Sequence, residues 1–245
     1  METTTVTAIY ALLLLVGLPL LAAHDARQDV DLEQLTTHRT TVYVSIAVSL
    51  LVVASITAGI AIWQKLPPES LGWRVEDPFQ AIGWAVVATG AGFGVALGTS
   101  RVSAAFGWPE SRIAYYLMPR SPAETRGFLL LAGLGAICEE YVYRGFLLHA
   151  TIAWIGNPWL AVGLTSISFG FAHGYQRAAG ITRAGLLGVI ISVPVVLSGS
   201  LFPAVVAHFW INAIIGMGGW RLMLDEASFD TEGSTDASPE DGSRS

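Results

Sequence analysis

The chain has 245 residues, of which 53% are hydrophobic and only 13% charged, against roughly 25% charged in soluble proteins, and its mean hydropathy is +0.55. That composition excludes a soluble globule and a disordered chain, and 13 Lys+Arg against 19 Asp+Glu leaves no basic field for nucleic acid. The single cysteine, Cys138, excludes an intrachain disulfide framework and a multi-cysteine zinc cluster, and reads as a small packing residue.

In chain order, seven stretches approach the 17–25 residues that cross about 30 Å of hydrocarbon. Residues 6–23 form an apolar stretch with Pro19 near its end. The stretch lacks a basic start and reads as a retained helix rather than a cleaved leader. Residues 41–63 are long and clean, and residues 81–98 are rich in Gly and Ala, which suits close helix contact. Between 99 and 127, Pro109 is expected to open a short helix through Met118 that Pro119 closes. Its Trp108, Arg112, Tyr115 and Tyr116 suit the headgroup layer. Ser121-Pro122-Ala123-Glu124 then reads as N-cap, N1 proline and capping-box glutamate. The remaining stretches are 128–150, 154–172, 186–199 (short, with Pro194 inside) and 201–220, the last two separated by Gly199-Ser200 alone.

The fold class expected is therefore all-α: a polytopic membrane helix bundle of about seven transmembrane helices plus a short interfacial helix. Residues 225–245 carry seven acidic residues and one Arg with no helical period, and read as a solvated, disordered tail. With the N-terminus outside, the inner connections hold Arg27, Arg39, Arg101, Arg112, Arg120, Arg126, Arg177, Arg183 and Arg221, whereas the outer ones hold Lys65 and Arg74. The asymmetry favours N-out, C-in, as expected of a cell-membrane protein.

Two acidic residues break the pattern. Glu139 and Glu140 sit inside an apolar run, where each charge costs at least about 2.5–3.5 kcal/mol on insertion scales. Glu140 and Arg144 are four apart and share a helical face as an ion pair, while Glu139 is rotated about 100° away with no local cation. A carboxylate so placed is a candidate general base. His173 ends the fifth span one turn after Phe169, and His208 and Asn212 lie side by side on the last. His149 adjoins a short loop and His24 and His38 lie in the first connection, where solvation suffices. A carboxylate, two imidazoles and a carboxamide on three helices fit acyl hydrolysis: a base for water, a group to hold it, and donors where the oxyanion develops.

These residues carry a resemblance. Glu139-Glu140-Tyr141-Val142-Tyr143-Arg144 matches EExxxR, Phe169 to His173 matches FxxxH, and His208 to Asn212 matches HxxxN, in the order found in the CPBP group of CAAX proteases and bacteriocin-processing enzymes, which includes the Ras-converting endopeptidase. The chain resembles that family from about residue 121 to 220, and departs from it at Tyr143, where members often have Phe. The resemblance implies an intramembrane endopeptidase with Glu139 as base for water, His173 as its partner, His208 and Asn212 as oxyanion stabilisers, and Glu140 with Arg144 as a supporting pair.

It divides the chain into N-terminal membrane helices and interfacial linker (1–120), a catalytic membrane core (121–224) and the acidic tail (225–245). The substrate implied is a membrane-associated peptide or protein, including the CAAX-type prenylated class, met in the lipid bilayer, with no nucleic acid partner. No cofactor is favoured. There is no HExxH, but Glu139, His173 and His208 could supply a three-ligand zinc site. The rival readings are a non-catalytic membrane scaffold or immunity protein of the same fold, and a proton-coupled transporter, for which no internal repeat is found.

Overall fold

A computed structural model describes residues 4–28, 31–108 and 110–223. The acidic tail and Pro109 lie outside the described residues. Among those described, the chain is all-helical, without strands.

The first span is α1 (Thr5–Leu12), a π-helical turn (Leu13–Gly17) and α2 (Leu18–Asp25). Pro19 explains the turn: it has no N–H to offer the Leu14 carbonyl five residues earlier, and the widened turn absorbs its ring. Ser168 donates to that carbonyl instead (3.2 Å), which ties the first span to the fifth. Ala11 and Leu14 are buried with Phe146, Leu147 and Phe169, so this span is part of the core around the site. A short helix, α3 (Leu32–Thr37), capped by Asp31, was not expected.

Helix α4 (Arg39–Trp63) and α5 (Pro78–Phe106) follow. The buried stripe of α5 is Ala81, Ala85, Ala88, Gly92, Ala96, Ser100 and Ser103, at steps of three or four residues. Close approach is carried by the alanines and by Gly92, where an added Cβ would run into Ile211 and lie 3.2 Å from Leu187 Cδ2, whereas Gly83, Gly90, Gly94 and Gly98 have nothing within 4 Å of an added Cβ. The connection between α4 and α5 contains a 3₁₀ turn (Pro68–Leu71). It is pinned to the start of the last helix by Leu201 N–H donating to Gly72 O (2.8 Å).

Helix α6 spans Arg112–Leu117 with Ser111 as N-cap, three residues later than an opening at Pro109. Tyr115 is buried within the protein: its ring meets Trp220 edge-on (5.5 Å), and the Arg120 guanidinium lies over both rings. Helix α7 (Pro122–Glu140) begins with the expected capping box, formed reciprocally by Ser121 and Glu124. It passes into a π-helical segment (Tyr141–Leu147) and then α8 (Leu148–Ile155). Gly156 ends α8 with φ of 74°, and Asn157 caps α9 (Pro158–Ala172) by accepting from Trp159 and Leu160 N–H. The fifth span thus starts at Pro158, four residues after Trp154.

Helix α10 (Arg177–Ser198) is 22 residues long, not a short span from 186. Arg177 and Arg183, counted as an inner loop, belong to it, and Pro194 sits inside the helix. Gly199, at φ 66°, makes a tight reversal into α11 (Phe202–Gly216), followed by a 3₁₀ turn (Gly219–Leu222).

All seven expected spans are helical, but length and apolarity alone qualify four as membrane-crossing: Thr5–Asp25, Arg39–Trp63, Pro78–Phe106 and Gly174–Ser198. Helices α9 and α11 are shorter, and the α7 helix carries the charged residues. Helix α10 packs on both α9 and α5, α7 on α4 and α11, and α11 on α5. The α9–α10 crossing is tight because small residues face each other. A Cβ on Gly170 would lie 3.2 Å from Gly185 Cα, and one on Gly188 3.1 Å from Ser166 Oγ. Helices α7, α9, α10 and α11 therefore hold their polar side chains against one another at fixed distances.

Candidate active site

The cavity at the centre of these helices measures about 220 Å³, and Glu139, His173, His208 and Asn212 all line it. The three sequence segments that carry them, on α7, α9 and α11, are far apart in the chain and meet only through helix packing. Its remaining wall near them is apolar, with Leu50 of α4, Ala132 and Gly135 of α7, Leu187 and Ile191 of α10 and Ile211 of α11.

Glu139 projects into this cavity from the last turn of α7, with its side chain 20% exposed, and its Oε2 has no hydrogen-bond partner. His173 stands at the end of α9, which at 15 residues rises only about 22 Å, short of the roughly 30 Å hydrocarbon core. The imidazole thus sits at the edge of the helix wall. Its Nδ1 donates to Phe169 O (2.8 Å), and its ring packs on Phe169 at 4.6 Å. Nε2 is therefore left to face Glu139 Oε2 at 3.9 Å. That separation is too long for a direct hydrogen bond and suits one water between the two.

Glu140 points the other way and is fully buried. Arg144 Nη1 donates to its Oε1 (3.0 Å), as the four-residue spacing predicts, even though a π-helical segment starts between them. The guanidinium is held further by α10: Nε donates to Ser192 Oγ (3.2 Å), Nη2 to Gly188 O (3.2 Å), and its plane stacks over Phe169 at 4.4 Å. The same Glu140 Oε1 also accepts from His208 Nδ1 (2.7 Å). This contact between distant helices was not expected. It makes Glu140 the orienting group of His208 as well as the partner of Arg144.

With Nδ1–H committed to a carboxylate, His208 presents Nε2 to the cavity, where it can donate to substrate only as the imidazolium. Asn212, half-buried one turn along α11, makes no hydrogen bond among the described residues, and its carboxamide is free to serve the cavity.

The π-helical segment accounts for the local geometry. Residues Val142 to Leu147 are all buried, which an amphipathic α-helix with one solvent or lipid face does not achieve. His149 is not a solvated loop residue: it lies in α8, and its Nδ1 donates to Arg144 O (2.9 Å). Tyr143 packs edge-on against Phe169 at 5.0 Å, so its ring occupies the place a phenylalanine would take. Ser192, Gly188 and Ser166 were missed by sequence reading, since small residues on an apolar helix carry no signal until a charged side chain is seen to cross to them.

Among the described residues no group of three or more His, Cys, Asp or Glu side chains is gathered so as to hold a metal ion. Glu139, His173 and His208 line one cavity but are not gathered into a three-donor set. The chemistry that follows uses only the chain's own groups.

Residues 122–214 match the family model for the type II CAAX prenyl endopeptidase Rce1-like proteins. Through this region, rather over a third of its length, the chain is similar to CAAX proteases. The matched region starts at the N1 proline of α7 and ends in α11, and so takes in Glu139, His173, His208 and Asn212 together. No curated protein and no solved structure matches the chain. That similarity points to the peptidase class, and four of the described helices are long and apolar enough to cross a membrane.

Proposed function

We propose that this protein is an intramembrane endopeptidase that hydrolyses a peptide bond in a membrane-associated substrate with a water activated by Glu139. The observation that carries the reading is the 3.9 Å gap between Glu139 Oε2 and His173 Nε2 in a cavity that His208 and Asn212 also line. A water in that gap donates one hydrogen to the carboxylate and the other to the imidazole Nε2. Its oxygen lone pair then points at a bound carbonyl, as a nucleophile requires.

As the water attacks, its proton passes to Glu139, and the carbonyl oxygen becomes an oxyanion. His208 Nε2–H and the Asn212 carboxamide are the donors for that charge. Protonated Glu139 then returns its proton to the leaving amine, restoring the carboxylate. Glu140 and Arg144 are positioning residues: Arg144 fixes the Glu140 carboxylate, which holds the His208 ring so that Nε2 faces the substrate. The substrate class we favour is the CAAX-type prenylated one that the family description names, approached from the bilayer, with the N-terminus outside and the C-terminus inside.

The test is a cleavage assay of purified protein against lipid-modified peptides, comparing the wild type with Glu139→Ala and His173→Ala. Product from the wild type and at least about a hundredfold less from each variant is expected. Equal product from all three would remove the enzymatic reading and leave a non-catalytic scaffold.

A further inference from the structure

Glu139 apart, Arg183 is the only Asp, Glu, Lys or Arg among the described residues that lines the cavity, and the chemistry above gives it no task. It lies on α10 five residues before Gly188, whose carbonyl holds Arg144, hence about 7.5 Å along the helix from the Glu140–Arg144 layer. It is 8% exposed.

Two hydroxyls from α5 fix its guanidinium. Nε donates to Thr99 Oγ1 (3.2 Å) and Nη2 to Ser100 Oγ (2.9 Å). Nη2 also pairs with Glu110, from the connection between α5 and α6. Nη1 makes no hydrogen bond among the described residues. A buried guanidinium at a cavity wall, pre-oriented by neutral donors and acceptors, is a carboxylate receptor. The chain already displays the ligand chemistry, since a carboxylate from a connecting segment is seated there. Ala184, Leu187 and Ile191, on the stretch of α10 between Arg183 and the catalytic layer, line the same cavity, so the route from Arg183 to the catalytic groups is apolar.

We propose that Arg183 binds the C-terminal carboxylate of a short apolar peptide segment lying in the cavity, taking it in exchange for Glu110. An extended peptide at about 3.3 Å per residue links such a carboxylate to the catalytic layer in a few residues, and Arg183 then sets how far from the chain end the cut falls. The placement relative to the cut rests on the proposed function, but the carboxylate site is testable without it. Glu110 precedes Ser111, which caps α6 and donates to Tyr175 O (2.7 Å). Displacing Glu110 therefore loosens one of the ties holding α6 beside the cavity.

The experiment uses full-length protein carrying Glu139→Gln, so that nothing is turned over, and a fluorescent trileucine peptide as its free acid and as its C-terminal amide. The acid is expected to bind about tenfold or more tightly than the amide. Glu110→Gln should tighten the acid alone by removing its competitor, and Arg183→Gln should erase the acid–amide difference. Equal affinity of acid and amide with Arg183 intact overturns the proposal, as does failure of both to bind; neither outcome depends on how an Arg183 variant folds. Persistence of acid selectivity in Arg183→Gln also overturns it. Acid selectivity in a protein whose wild type hydrolyses nothing would keep the carboxylate site and sink the proteolytic reading. Hydrolysis that is indifferent to the chain end would do the reverse.

Discussion

Replacing Arg144 by Met separates what the buried ion cluster does for stability from what it does for activity. Arg144 is 2% exposed and Glu140 is 0% exposed. The substitution removes the 3.0 Å bond to Glu140 and the two bonds to α10, and leaves Glu140 with His208 as its only partner among these groups. Breaking a buried pair from one side costs about 3–5 kcal/mol. At about 2–4 °C per kcal/mol for a chain of this size, the midpoint of thermal unfolding should fall by roughly 6–20 °C.

The double variant Glu140→Gln with Arg144→Met buries no unpaired charge, so it should recover more than half of that loss. Activity should not return with it, because the carboxylate that orients His208 through the 2.7 Å contact is gone. Thermal unfolding of the purified protein in detergent, read beside a cleavage assay, measures both quantities. An Arg144→Met midpoint within 2 °C of wild type, or a double variant that regains activity along with stability, would refute this assignment of roles.

Glu139→Gln, at a carboxylate with no bonded partner on Oε2, should lower kcat by about 10²–10⁴ while leaving the unfolding midpoint essentially at its wild-type value. Asn212→Ala should cost about 10²–10³ in kcat with KM little changed, which steady-state kinetics will separate. Gly188→Ala should destabilise by about 1–3 kcal/mol, because its Cβ would meet Ser166 Oγ at 3.1 Å and Arg144 Nη2 at 3.2 Å. Gly83→Ala, with open space at its Cβ, serves as the neutral control in the same unfolding series. Exhaustive chelation should leave cleavage intact; stoichiometric zinc whose removal abolishes cleavage, and whose return restores it, would show that Glu139, His173 and His208 regroup around a metal.

Much of this was legible in the chain because membrane insertion makes polar residues conspicuous. Glu139 and Glu140 stand out against an apolar run, and the i,i+4 rule assigns Arg144 to Glu140 and places Asn212 beside His208. The capping box at Ser121 and Glu124 was readable for the same reason, being local. What escaped is non-local or depends on backbone irregularity. No periodicity argument on α7 or α11 reveals that His208 reaches Glu140, and the π-helical segments become visible only when a carbonyl such as that of Leu14 is found bonded to another helix. Arg177 and Arg183 hide the true start of helix α10, because charge on an apolar helix normally marks a solvated connection. In the fold, Arg183 is instead neutralised by Glu110 and two hydroxyls of α5, so charge there marks a buried contact rather than a boundary.

The central claim is that Glu139 activates a water rather than attacking the substrate itself. Single-turnover cleavage in H₂¹⁸O, with the product analysed by mass spectrometry, tests it directly. The account predicts one ¹⁸O in the new carboxylate of the first product released. A first turnover that yields unlabelled carboxylate, its oxygen drawn from the protein, would contradict it.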